Sequence, residues 1–203
     1  MDDTRILVKK AQNNDIASFE ELVRLYQNKI FALCSHLTGN HSDAQDLAQE
    51  VFIRAFRSLG SFRNEADFGT WLHRITVNAW LNVKRKNNGQ SLVSLNDSYH
   101  GENGSELTRD VVAEDGDPLQ ALEEKEFRSL VRAALDGLTV EHRTVLVLRE
   151  IEGYSYEDVS RMLGCSLGTV KSRLNRAREV MRRRMTELAR EAGEASPAGK
   201  ERR

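Results

Sequence analysis

An all-α protein, two small helical domains joined by a flexible acidic linker, is what this sequence predicts. Apolar residues recur at three- and four-residue spacing through most of the chain. No stretch alternates β-branched and polar residues, and only two prolines interrupt 203 residues. That length is generous for one small helical domain and comfortable for two.

The first domain is placed at 1–86. Asp15 is a candidate cap for a helix carrying Ile16, Phe19, Leu22, Val23, Tyr26, Ile30 and Leu33 on one side and ending near Thr38-Gly39. A second helix is expected from Ser42, with Gln45 three residues on in a capping-box pattern. Its stripe is Ala44, Leu47, Ala48, Val51, Phe52, Ala55, Phe56 and Leu59, and Gly60 ends it. After a loop from Ser61 to Asp67, a third helix directs Phe68, Trp71, Leu72, Ile75 and Ala79 inward.

Residues 87–117 are expected to be a flexible linker, since structureless stretches beyond roughly 12–15 residues are uncommon inside a compact domain. They hold seven acids against one base, Arg109. Both flanks are net basic, so the formal net charge of -1 hides two basic ends held apart by a negative tether. The second domain is placed at 118–192. Asp117-Pro118 opens a helix bearing Leu119, Leu122, Phe127, Leu130, Val131, Ala134 and Leu135. Thr139 is a candidate cap for the next, with Val145, Leu146, Leu148 and Ile151, stopped at Glu152-Gly153. Residues 193–203 are expected to be a disordered tail.

Residues 154–178 carry the most chemistry. Ser155 with Asp158 begins a short helix, Gly164 stops it, and Ser166 caps a second helix with the buried stripe Val170, Leu174, Ala177 and Met181. Two helices joined by a short turn containing glycine make a helix-turn-helix. The other face of the second helix presents Ser166, Gly168, Thr169, Lys171, Ser172, Arg173, Asn175 and Arg176. Small residues there permit close approach to duplex DNA, while Lys and Arg reach phosphates and guanine edges. The bland alternative is a helical hairpin with a solvated charged face.

Two further faces call for explanation. The second helix of the first domain shows Asp43, Asp46, Gln49, Glu50, Ile53, Arg54 and Arg57 outward, without the His, Ser or glycine-rich loop that would make its carboxylates catalytic. The third helix is apolar on two sides. Val77, Trp80 and Leu81 diverge from its main stripe and interleave with His73, Arg74, Asn78, Lys84, Arg85 and Lys86. Either it is sandwiched, with Ile6-Leu7-Val8 covering part of it, or it stacks and neutralises single-stranded nucleic acid.

Other function classes find no support. The histidines are scattered, Cys34 and Cys165 lie far apart, and no cluster has metal-ligand spacing, so no catalytic residue, cofactor or metal is expected. No apolar run of ~20 residues marks a membrane span, so a soluble, cytoplasmic protein is expected.

Three blocks taken in order resemble the ECF (extracytoplasmic function) type of bacterial RNA polymerase sigma factor. They are the stretch from Asp43 to Phe56, that from Phe68 to Asn78, and that from Leu163 to Arg178. The resemblance covers nearly the whole chain outside the linker and tail. It implies that Asp43, Asp46, Gln49, Glu50, Phe52, Ile53 and Arg54 grip core RNA polymerase through its β and β′ subunits. It implies a −10 reader acting on the melted strand through Phe62, Arg63, Asn64, Trp71, Arg74, Asn78, Trp80, Lys84 and Arg85. The linker then threads the polymerase channels, and Ser166, Gly168, Thr169, Lys171, Ser172, Arg173 and Arg176 read the −35 element of promoter DNA. An anti-sigma partner is implied by the family, and neither membrane insertion nor an obligate homodimer is expected. Two departures stand out: Thr139 follows Leu138 where proline is usual, and Ser160 replaces a common alanine. The rival readings are a homodimeric helix-turn-helix operator-binding regulator, needing half-sites about one helical turn apart, and a nucleic-acid hydrolase or transferase, for which no nucleophile or metal constellation is present.

Overall fold

A computed structural model describes residues 2–63, 66–90 and 118–195. The expectations for the linker beyond Gln90, for Asn64 and for the last residues lie outside them.

Four helices build the first unit: α1 (Asp2–Gln12), α2 (Ile16–Thr38), α3 (His41–Ser58) and α4 (Phe68–Gln90), with a 3-10 turn at Leu59–Ser61. The Asp15 side chain accepts the Ser18 backbone N–H, and Gly39, at φ 74°, closes α2 by donating to Ser35 O at 3.0 Å. The cap of α3 differs from the expected one. Asn40, not Ser42, takes the capping role, its Oδ1 accepting the Asp43 N–H at 3.1 Å, because the helix begins at His41. Helices α1, α3 and α4 gather around α2. Leu22, Ile30, Leu33, Leu37, Val51 and Leu72 are fully buried between them. Truncating such a leucine to alanine costs about 2–5 kcal/mol. Gln12 pins α1 down by donating from Nε2 to the carbonyls of Leu59 and Phe62, at 3.0 and 2.8 Å.

The second unit comprises α5 (Pro118–Asp136), α6 (Val140–Leu146), a π-helical turn (Val147–Ile151), α7 (Tyr156–Leu163) and α8 (Leu167–Ala195). Thr139 caps α6 by accepting the His142 N–H at 3.4 Å, a role that proline at this position could not fill. Val145, Leu148, Val159, Val170, Leu174 and Ala177 are fully buried. Four sequence expectations shift. Phe127, assigned to the inner face of α5, is 59% exposed, and Ile151 is also exposed. Helix α4 continues through residues 87–90, and α8 runs on to Ala195.

The two units are in contact. Val77 of α4 packs in the second core and Val147 in the first. This resolves the two-sided apolarity of α4. Trp80 is 3% exposed, and its Nε1–H donates to Thr144 Oγ1 at 3.3 Å. The segment Ile6-Leu7-Val8 instead lies in α1, which packs chiefly on α2 with Val8 fully buried.

His36 lies in this seam with its Nδ1 buried and unpartnered. Burial, and then the nearby Arg132 charge, push its pKa below the ordinary histidine value. The unfolded chain therefore binds the proton more readily, and folding stability should decline as pH falls below about 6.5. Urea unfolding measured across that range should show a shallower decline for His36→Gln than for the parent.

Candidate nucleic-acid and protein interface

The helix-turn-helix is built by local hydrogen bonds the sequence encodes directly. Ser155 Oγ accepts the Asp158 N–H at 3.1 Å and donates back to that carboxylate, which holds the Asp158 carboxyl below the usual carboxylate range. Gly164, at φ 61°, ends α7 in the left-handed region that a side chain would disfavour. Across the turn Ser160 Oγ donates to Cys165 O, so the serine that departs from the family pattern ties α7 to the start of α8. Ser166 Oγ then accepts the Thr169 N–H at 3.1 Å.

With Val170, Leu174 and Ala177 fully buried, α8 has one possible outer face. Ser166, Gly168, Lys171, Ser172 and Arg176 are exposed there, with Thr169 and Arg173 half-buried at its margin. Among the described residues Arg173 and Arg176 form no ion pair, whereas Arg178 is held by Glu150, with its Nε 3.1 Å from Oε1. Tyr156 supports the base of this face, its ring lying 4.9 Å from the Arg149 guanidinium and 6.0 Å from the Lys171 ammonium.

The residues assigned to the melted strand divide. Trp71, Arg74, Asn78 and Arg85 follow one stripe of α4 at helical spacing. Arg74, Asn78 and Arg85 are exposed, and Trp71 is half-buried. The Trp71 ring is clustered with Phe62 and Phe68, at centroid distances of 4.9 and 5.5 Å. Arg63 is exposed beside this cluster in sequence. Phe62 and Trp80, by contrast, are 6% and 3% exposed and offer no open ring to a base in this arrangement. The Lys84 ammonium sits 4.6 Å over the Trp80 ring.

A third surface lies between α2 and α3. Val23, Gln27, Asn28 and Phe31 face Gln45, Ala48, Gln49 and Phe52 across an open groove of about 310 Å³. Of the seven residues assigned to polymerase contact, Gln49 and Phe52 line it. Asp43, Asp46 and Ile53 are exposed elsewhere on α3, and Glu50 pairs with Arg54 at 2.6 Å. The α2 wall is not legible in the sequence, where Val23 and its neighbours have the pattern of a core stripe. Their helical spacing is the same whether the stripe faces a neighbour or a groove.

Among the described residues no group of three or more His, Cys, Asp or Glu is placed to hold a metal ion. No helix among them is long and apolar enough to cross a membrane.

Capped α7, a tight glycine turn and an α8 with a bare polar N-terminal face define a DNA-reading helix-turn-helix protein. The comparisons give the family. Residues 22–90 match the model of Sigma-70 region 2, and residues 128–181 match that of Sigma-70, region 4. The RNA polymerase sigma-H factor of Pseudomonas aeruginosa is 38% identical over 92% of this chain and 95% of its own. The ECF RNA polymerase sigma-E factor of Escherichia coli K12 is 34% identical over 92% and 96%. A solved structure of the sigma factor RpoE in complex with the anti-sigma factor NepR from Bartonella quintana aligns at a TM-score of 0.60 with 25% identity, covering 83% of this chain and 96% of that one. The chain belongs to the ECF RNA polymerase sigma factors, and its function is that of a sigma factor in transcription initiation.

The Ser160 tie across the turn should be measurable. Ser160→Ala is expected to cost about 0.5–1.5 kcal/mol of stability in urea unfolding, because it leaves the Cys165 carbonyl without that donor.

Proposed function

We propose that this chain directs core RNA polymerase to promoters with three separate surfaces. The outer face of α8 enters the major groove of a −35 element, with Lys171, Arg173 and Arg176 contacting phosphates and base edges and Ser166, Gly168, Thr169 and Ser172 allowing close approach. The α4 stripe of Trp71, Arg74, Asn78 and Arg85, with Arg63 and Asn64 before it and Phe62 packed behind Trp71, takes the melted −10 strand by stacking and charge neutralisation. The α2/α3 groove, with Gln49 and Phe52 in its wall and Asp43, Asp46, Glu50, Ile53 and Arg54 nearby, docks on the β′ and β subunits of the polymerase.

The observation that carries this reading is the outer face of α8. Lys171 and Arg176 stand in the open and Arg173 lies at the margin, on a helix whose start is capped and whose opposite side is locked into a core. Lys84 and Trp80 complete the strand site only once the second unit has moved away from α4. Catalysis belongs to the polymerase in this scheme, so the chain acts as a cytoplasmic, non-enzymatic subunit. An anti-sigma protein holds it inactive, as the Bartonella quintana relative is solved with such a partner.

Purified core polymerase supplemented with this chain should start transcripts at promoters bearing both elements, and core alone should not. Arg173→Ala or Arg176→Ala should weaken binding to the −35 element by roughly 1–3 kcal/mol if the arginine contacts a base. Arg74→Ala should slow open-complex formation, followed by permanganate reactivity, more than it weakens duplex binding. Ala48→Trp, which fills the groove, should abolish retention of the chain on immobilised core polymerase while its thermal unfolding remains cooperative.

A further inference from the structure

Helix α1 holds none of the residues assigned to polymerase or promoter, yet one of its side chains reaches the segment that leads into the strand site. Val8 and Ala11 are buried in the first core, and Leu7 packs against it. Gln12, half-buried at the end of the helix, stands one position beyond this stripe, where α1 meets the 3-10 turn at Leu59–Ser61. Its Nε2 donates to Leu59 O at 3.0 Å and to Phe62 O at 2.8 Å. Both N–H groups of the amide are therefore spent on the backbone of one short segment, 47 and 50 residues away in the chain.

The two carbonyls differ in what they would have without it. Leu59 O already accepts the Phe62 N–H at 3.0 Å, the bond that closes the turn. Phe62 has left the helical region, at φ -73° and ψ 114°, so helix geometry supplies its carbonyl with no donor. Gln12 supplies one from elsewhere in the fold. The peptide it holds has consequences on both sides. Behind it the Phe62 ring is 6% exposed, 4.9 Å from Trp71 and 5.8 Å from Phe68. Ahead of it the chain runs directly into exposed Arg63 and then Asn64.

The far end of the segment is anchored as well. Asp67 Oδ2 accepts the Gly69 N–H at 2.9 Å at the start of α4, and Asp67 O accepts the Trp71 N–H at 3.0 Å. Helix α1 supports this end too: Thr4 and the Tyr26 hydroxyl share a hydrogen bond, and the Tyr26 ring meets Phe68 edge-on at 5.3 Å. A segment fixed at both ends loses less conformational entropy when it takes hold of an unpaired strand. The amide suits this task because it offers two donors without adding a charge that would compete with Arg63 for phosphate.

We propose that Gln12 is a positioning residue for capture of the melted −10 strand: through the Leu59 and Phe62 carbonyls it sets Phe62 behind Trp71 and aims Arg63 and Asn64 before any strand arrives. This rests on the sigma-factor reading given above and adds α1 to the strand-reading apparatus. Gln12 itself touches no nucleic acid. Its effect falls on the step in which the strands open, and the first recognition of duplex by α8 is independent of it.

The test uses core polymerase reconstituted with the full chain, on a promoter located by mapping the transcript starts of the parent holoenzyme. Gln12→Met keeps side-chain length and loses both donors. Gln12→Glu keeps the shape and sets carboxylate oxygens against two carbonyls. Val8→Ala loosens α1 from the core without touching the Leu59 and Phe62 carbonyls. Permanganate reactivity of thymines near −10 is followed in time at several holoenzyme concentrations, which separates duplex binding from strand opening. Opening should slow roughly tenfold in Gln12→Met and at least as much in Gln12→Glu, the scale of one or two lost hydrogen bonds, with duplex binding unchanged. Val8→Ala should unfold at lower temperature than the parent and still open the promoter at the parent rate. Parental opening in both Gln12 variants overturns the positioning role. Equal slowing in Val8→Ala overturns it too, because α1 would then serve only as a prop for the core. If the parent holoenzyme makes no promoter-specific transcript, the sigma-factor reading itself fails and the role of Gln12 falls with it.

Discussion

The buried guanidinium of Arg143 sets the terms on which the rest of this molecule is arranged. An unpaired charge in such a place would cost several kcal/mol, and each of its three nitrogens meets an acceptor. Two of those acceptors, Leu135 O and Asp136 Oδ1, lie within its own unit, at the end of α5. The remaining one, Leu37 O, is among the last carbonyls of α2, a group that no longer has a partner further along its helix. One residue thereby satisfies a helix terminus and fixes the approach of two units. Its environment explains why α2 ends in a left-handed glycine at that point: Gly39 both stops the helix and leaves room for Asp136.

From that junction the seam runs along α4, and the consequences for chemistry follow from which sides of the helices remain bare. On α8 the buried stripe fixes the outward residues, and the ion pair between Arg178 and Glu150 separates one arginine that braces the fold from Arg173 and Arg176, which form no ion pair among the described residues. On α4 the aromatic cluster of Phe62, Phe68 and Trp71 leaves Trp71 half-exposed at its margin. Rigid aromatic packing behind an exposed polar stripe suits the proposed capture of an unstacked base without rearrangement.

Much of this was legible in the amino-acid order. Caps at Asp15, Thr139, Ser155 and Ser166 and stops at Gly39 and Gly164 are local events, decided within four residues, and they stand where the sequence puts them. The α3 cap stands at Asn40, two residues before the expected Ser42, because Ser42 and Gln45 offer a competing box of the same chemistry one half-turn later. Contacts between distant segments were not legible. Nothing in the spacing of Val77 and Trp80 says whether their partner is Ile6-Leu7-Val8, a nucleic acid or the second unit. Nor does an arginine in an amphipathic helix announce that it will be buried, as Arg143 is. The α2 wall of the groove escaped for a related reason: a groove belongs to two helices at once, and periodicity describes one at a time.

Helix α4 has no idle side. A substitution on it must meet the first core, the second unit or the solvent stripe, and the same helix turn can serve all three within four residues, as Leu72, His73 and Arg74 do in succession. Such a segment tolerates little neutral drift, and changes that adjust one task will disturb another. Random variation should therefore accumulate more freely on α8, whose outer face packs against neither core, than on the helix that joins the two halves.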